Sequence, residues 1–335
     1  MANTKTGVIV QNQLFDLIKK QIPANYSLVD SIAELLEISN DSAYRRLRGE
    51  TLVDIHELLL LCSYFKISLD KLSANSSNLV SFNYQPLSNN QHTLLEYLQN
   101  ILGDMKKINA VENKHIVFTS EDIPIFHYFK YDELTAFKLF YWDKSILNSS
   151  TYEGKKFKPS YVPTEAIQTA KEIYDLYVKI PSIEIWTEGT IVSVLKQIEF
   201  YWESGLFENK DDALVVITQL QDMVATIQND AELSSKLRQN STSGIPNYTL
   251  YWSEVTIGNN CIQVTINDVQ MIYFSFNTFN SMSTTHTSFC NETDTWIKNL
   301  IKKSVQISGV SEKQRYQFFI KVNNYIDVLK KKIVG

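Results

Sequence analysis

The chain has 335 residues, 44% of them hydrophobic and 21% charged, with a formal net charge of -5. That length exceeds a single small module and fits two or three domains with buried cores. The acidic balance excludes a protein that coats nucleic acid over its whole surface, yet leaves room for one local basic face.

Near the N-terminus, Leu14, Leu17 and Ile18 predict a short amphipathic helix closed near Pro23. Ser27 is positioned to cap the next helix, whose apolar stripe is Leu28, Ile32, Leu35 and Leu36, with Ala33 allowing close approach of a neighbour. Ser39 or Asn40 restarts a helix in which Ala43 and Leu47 share a buried face, and Gly49 ends it in the left-handed conformation. Leu52, Ile55, Leu58, Leu59, Cys62 and Phe65 supply a fourth helix, and Ser68, Leu69 and Leu72 a last turn. The expected module is therefore an all-α domain of five short helices over residues 1–73.

Residues 28–49, LVDSIAELLEISNDSAYRRLRG, give two short helices joined by a tight turn, the second rich in arginine. With Ala33 in the first helix, Ile38-Ser39 at the turn, Arg48-Gly49 at the close and Ile67-Ser68-Leu69-Asp70-Lys71-Leu72 trailing, residues 11–73 resemble the lambda-repressor-like (Cro-repressor) helix-turn-helix family of bacterial transcription regulators. Two positions depart from the family pattern. Glu37 stands where the turn usually takes Gly and must tolerate a positive φ, and Arg46 stands where an apolar residue is usual. The resemblance implies double-stranded DNA as partner, with Ser39 at the helix start and Asn40, Asp41, Tyr44 and Arg45 facing outward. Arg46 and Arg48 are then placed for phosphates. The alternative is a solvated face whose arginines pair with Glu34, Glu37 or Glu50.

Residues 74–90, rich in Ser and Asn, read as a linker that Leu79, Phe82 and Tyr84 can pin to a domain surface. Leu94, Leu98, Ile101, Met105 and Ile108 then repeat at alternating 4 and 3 spacing, which suits a dimer-forming helix or a core-facing one.

Beyond this helix, strands are predicted at 115–119 and 123–129, helices at 132–145 and 164–179, and a strand at 183–186. Helices at 190–204 and 210–237, a three-strand meander at 248–257, 261–267 and 269–278, and helices at 293–308 and 311–332 complete the chain. The expected domain over 91–335 is α+β, with a mainly antiparallel sheet flanked by helices. In element order alone it is loosely similar to GAF- or PAS-type sensor domains.

Little in this region carries chemistry by spacing. His286 and Cys290 with Cys261 offer at most three zinc ligands and no paired CxxC, and no phosphate-cradling glycine loop or nucleophile elbow is present, so neither metal nor cofactor is expected. The aromatics from Tyr128 to Trp142 and the run Phe200-Tyr201-Trp202 read first as core, and otherwise as a ligand pocket or protein-contact surface. Three widely spaced cysteines argue against a disulfide framework and for a reducing cytoplasm. The densest apolar runs, 58–62 and 271–276, fall far short of the ~20 residues that cross a bilayer, so no membrane partner is expected.

These features together predict a non-enzymatic, sequence-specific transcription regulator. Its C-terminal domain dimerises the chain, senses a small-molecule effector, or both. A DNA-tethered adaptor that contacts another protein is the alternative, and an enzyme carrying a DNA-binding module is a third.

Overall fold

The computed structural model describes residues 2–19, 22, 27–65, 67, 69, 79–84, 94–237, 246–276 and 280–335, which fall into two units, Met1–Ser81 and Phe82–Gly335. In the first unit the described helices are α1 (Ala2–Lys19), α2 (Leu28–Leu36), α3 (Asn40–Leu47) and α4 (Ile55–Tyr64). α1 is longer than its apolar spacing predicts, and both its expected stop at Pro23 and most of the last turn at 68–72 lie outside the described residues. Leu14, Phe15 and Ile18 of α1 pack with Ile32, Ala33, Ala43, Leu61 and Cys62 in one small core.

Local chemistry sets the helix ends. Ser27 accepts from the Asp30 N–H and Ser39 from the Ser42 N–H, as N-caps do. α2 closes on Glu37, which adopts φ 54, while Ile38 N–H bonds the Ala33 carbonyl and Glu37 N–H the Glu34 carbonyl. α3 closes the same way on Gly49 at φ 73, with Glu50 N–H on the Arg45 carbonyl and Gly49 N–H on that of Arg46. Both are Schellman motifs, and only the second uses the residue that takes a left-handed backbone without strain.

The second unit contains α5 (Leu94–Asn109), α6 (Ile125–Tyr128), α7 (Asp132–Tyr141), α8 (Thr164–Tyr177), α9 (Val192–Glu203), α10 (Lys210–Leu233), α11 (Thr287–Lys302) and α12 (Glu312–Val334). Its strands are β1 (Asn83–Tyr84), β2 (Lys114–Ser120), β3 (Ser182–Trp186), β4 (Tyr248–Trp252), β5 (Cys261–Ile266), β6 (Val269–Phe276), β7 (Asn280–Thr284) and β8 (Val305–Gln306). They form one mixed sheet in the order β1-β7-β6-β5-β2-β3-β4-β8. β2, β3 and β4 run parallel, linked by helical crossovers, and the other pairings are antiparallel. The unit is thus mixed α/β: most strand pairings are antiparallel, as in the expected mainly antiparallel sheet, but the centre β2-β3-β4 is parallel.

Three assignments change. Residues 123–129, whose aromatic run predicts a strand, contain α6 instead: Pro124 sits at its N-cap, and Ile123, Phe126 and Phe129, three apart, are buried. β4 pairs with β3 and β8 rather than β5, so the meander is β5-β6-β7. The helix predicted at 293–308 begins at Thr287 and stops at Lys302, before β8. The element order behind a GAF- or PAS-like reading is therefore not the one observed.

Of the segment read as a linker, residues 79–84 are described, and there β1 pairs with β7 while the Phe82 ring meets Phe289 edge-on at 5.5 Å. The 4-and-3 spaced face of α5 packs into its own unit, with Leu98, Met105 and Ile108 buried, which is the core-facing alternative. Phe137, Phe140 and Tyr201 pack with Phe157 and Phe207, so the two aromatic runs merge in that core. On the opposite face, Ile297 and Leu300 of α11 cover Val117 and Ile185. His286 caps α11, its Nδ1 accepting from the Phe289 N–H, while Cys261 and Cys290 pack around Ile272. Burial pushes the Cys261 thiol up to about 12. Among the described residues no helix is long and apolar enough to cross a membrane.

A fully buried carboxylate, Glu184 on β3, organises the centre of this core. Its Oε1 takes bonds from His127 Nε2 at 2.8 Å and the Tyr177 hydroxyl, and its Oε2 from Trp186 Nε1 at 2.8 Å and the Tyr248 hydroxyl at 3.1 Å. Nearby, Lys236 Nζ donates to Ser182 Oγ at 2.6 Å and to the Ile180 carbonyl at 2.8 Å, and lies 3.7 Å from the Tyr177 ring centre. Burial pulls Lys236 down to about 7 against the opposing pull of Glu184 and Asp230. Burial also pushes Asp230 up to about 6.

Candidate nucleic-acid interface

The motif begins with packing. Ala33 in α2 and Ala43 in α3 are both buried, and their small side chains let the two helices approach closely. Ser39 then starts α3 with its Oγ against the Ser42 N–H and 3.0 Å from Ser42 Oγ. Asn40 Nδ2 donates to Asp30 Oδ1 at 2.9 Å, tying the first residue of α3 back to α2.

From there the outward face is a single stripe. Asp41, Tyr44, Arg45 and Arg48 fall at i, i+3, i+4 and i+7, and all are exposed. The Arg48 guanidinium lies over the Tyr44 ring at 5.8 Å, which aligns its fork with the stripe. Glu50 approaches Arg48 at 3.7 Å and Arg45 at 4.0 Å, with all three side chains half exposed or more. Such surface pairs are worth little and are displaced by a stronger anion. Chemically, the stripe presents two planar five-donor forks, a phenol and one carboxylate acceptor, a set able to read guanine and cytosine edges and hold phosphate.

Arg46 is placed elsewhere. Its Nε and Nη2 form a two-point bond with the Glu57 carboxylate at 2.9 and 2.6 Å, and Nη1 donates to the Ser42 carbonyl at 3.2 Å. Most of the side chain is covered, and the bond to Glu57 raises its affinity for its proton. The ion pair joins α3 to α4, and the guanidinium is turned away from the stripe.

Two supporting residues escape a reading of the motif alone. Gln11 of α1 is buried and makes three bonds: Nε2 to the Arg46 carbonyl at 2.7 Å and the Thr51 carbonyl at 2.9 Å, and Oε1 from the Val53 N–H at 2.7 Å. It clamps the C-terminus of α3 and the loop after it. A signal exists, because Gln11 lies on the i, i+3, i+4, i+7 stripe of Leu14, Phe15 and Ile18. Glu57 also closes a capping box with Asp54, legible as Asp-x-x-Glu ahead of an apolar run.

Gly49 is required for two reasons: its φ of 73, and a Cβ there would lie 2.9 Å from Val8 Cγ1. Gly49→Val is therefore expected to destabilise the first unit by roughly 2 kcal/mol or more, through backbone strain and overpacking. All five tryptophans, Trp142, Trp186, Trp202, Trp252 and Trp296, lie in the second unit. The loss should thus appear in helical circular dichroism while the tryptophan transition stays in place; an unmoved circular dichroism profile would refute this role. No family model, curated protein or solved structure matches the chain.

Proposed function

We propose that the chain is a sequence-specific DNA-binding transcription regulator that inserts α3 into the major groove. The observation that carries the reading is the stripe Asp41, Tyr44, Arg45 and Arg48, exposed together on the second helix of a closely packed pair. In this reading Arg45 reads a base edge, Arg48 and the first turn of α3 hold phosphates, and Arg46 positions α3 without touching DNA. The second unit dimerises the chain and responds to an effector. One short recognition helix on an acidic chain makes few phosphate contacts, whereas two copies on half-sites ~34 Å apart bind at a high effective concentration.

The test is Arg45→Ala in the full chain, titrated on a site selected from random DNA. A loss of roughly 1–3 kcal/mol at the selected site, with relaxed preference at one base position, is expected. Random DNA should lose less, and light scattering of the complex should give two chains per site. Equal losses on selected and random duplex would leave Arg45 as a phosphate contact. Failure to select any site would remove the reading.

A further inference from the structure

The second unit holds a pocket of about 180 Å³, partly open to solvent, between α5 and the sheet. Its floor follows from strand register. Phe118, Ile262 and Tyr273 are paired across β2, β5 and β6, and Ile116 pairs with Val264 in the same two inner strands. Ile101, Met105 and Ile108 of α5 form the roof. A concave, largely apolar lining with a few polar groups at its rim is the usual form of a small-molecule site.

The polar groups at its rim indicate what can fill it. Asp122 and Lys138 line the cavity, but their charges are already spent on each other and on the wall. Lys138 Nζ donates to Gln197 Oε1 at 2.9 Å and lies 3.4 Å from Asp122 Oδ2. The Asp122 carboxylate also accepts from the Ile123 N–H, the Tyr128 hydroxyl and the Ser193 hydroxyl. A third lining charge, Asp104, is negative and pairs with Lys107 at 2.9 Å. An anionic ligand would thus meet two carboxylates and no uncommitted cation among the described residues. Uncharged groups remain. The hydroxyls of Tyr273, Ser275 and Ser281 line the cavity and bond no described residue, and burial holds the Tyr273 phenol protonated, pushing it up to about 12. For size, an apolar cavity of ~150 Å³ is filled by a single benzene ring.

We propose that this cavity binds a small uncharged organic molecule: a single-ring or short-chain apolar body carrying one or two hydroxyl or carbonyl groups. The apolar part lies between Met105 and Phe118, and the polar end meets the Tyr273 and Ser275 hydroxyls. This deepens the regulator reading by naming the class of effector, and it rests on that reading only for the word effector.

Calorimetry of the full chain without DNA tests it, using p-cresol, toluene and benzoate as probes. Saturating p-cresol should raise the melting temperature by roughly 5 °C, and benzoate should not move it. Ile101→Trp, at a partly covered position, fills the space and should abolish the rise. Tyr273→Phe keeps the packing and should weaken p-cresol roughly tenfold while leaving toluene unchanged, a readout that stands even if the tryptophan variant fails to fold. No shift with p-cresol, an equal shift with benzoate, or p-cresol affinity unchanged in Tyr273→Phe would each overturn the proposal. Because DNA is absent, these results are independent of the Arg45→Ala titration.

Discussion

Glu184→Ala is expected to lower the stability of the second unit by roughly 3–5 kcal/mol, the usual cost of removing one partner from a buried charge network. The carboxylate accepts four side-chain bonds, from His127, Tyr177, Trp186 and Tyr248. Truncation leaves those donors without their acceptor and removes the charge that most opposes the burial of the Lys236 ammonium. Against a total stability of ~5–15 kcal/mol, that is enough to populate the unfolded unit near physiological temperature. Denaturant unfolding followed by tryptophan emission reads this unit alone, and a shift below about 1 kcal/mol would show that the network contributes little.

The same residue sets an acid limit. Burial alone would raise the Glu184 carboxyl, but the His127 charge, the bonds from His127 and Tyr177, and Lys236 hold it below the ordinary 4.5. A depressed carboxyl stabilises the fold above its unfolded value and loses that contribution as pH falls through the folded one. Below pH 4.5 the native protein should lose stability faster than Glu184→Gln. Asp230, raised by burial, is common to both proteins, so much of its opposite effect cancels in the comparison. Parallel pH profiles for the two would show that the carboxylate's charge is not what the network holds.

Gln11→Met is expected to cost the first unit roughly 2–4 kcal/mol, since three backbone groups lose their partner at about 1 kcal/mol or more each. Methionine keeps the volume, so the loss reports hydrogen bonding rather than a cavity. The groups released are the Arg46 and Thr51 carbonyls and the Val53 N–H, which together fix the end of α3. DNA affinity should therefore fall even at temperatures where the unit remains folded, because Arg45 and Arg48 are no longer held in one orientation. The measurement is a duplex titration at low temperature beside a melting curve by circular dichroism. Unchanged affinity with a lowered melting point would confine Gln11 to stability.

What the sequence by itself determined is the chemistry that acts within a few residues. Ser27 and Ser39 cap helices three residues away, Gly49 takes the left-handed backbone, and Glu37 accepts a positive φ at the turn. The outward face of Asp41, Tyr44 and Arg45 on α3 is what the family resemblance implies, and the long helices of the second unit follow from helical period. What only the tertiary structure decided is where polar and charged side chains find partners, and which strands pair. Arg46 reads as one more surface arginine until Glu57, eleven residues on, is folded against it. Gln11 binds Val53 across 42 residues, and His127 meets Glu184 across 57. Periodicity marks β4 as a strand but is silent on its neighbours, and β4 joins β3 across a helical crossover rather than β5 across a turn. The aromatic run at 123–129 favours a strand by propensity, a weak preference that tertiary burial of Phe126, His127, Tyr128 and Phe129 in and beside α6 overrides. Caps and turns are local minima of the backbone and survive any surroundings. A buried charge or a strand edge has no preferred state until the rest of the chain supplies one.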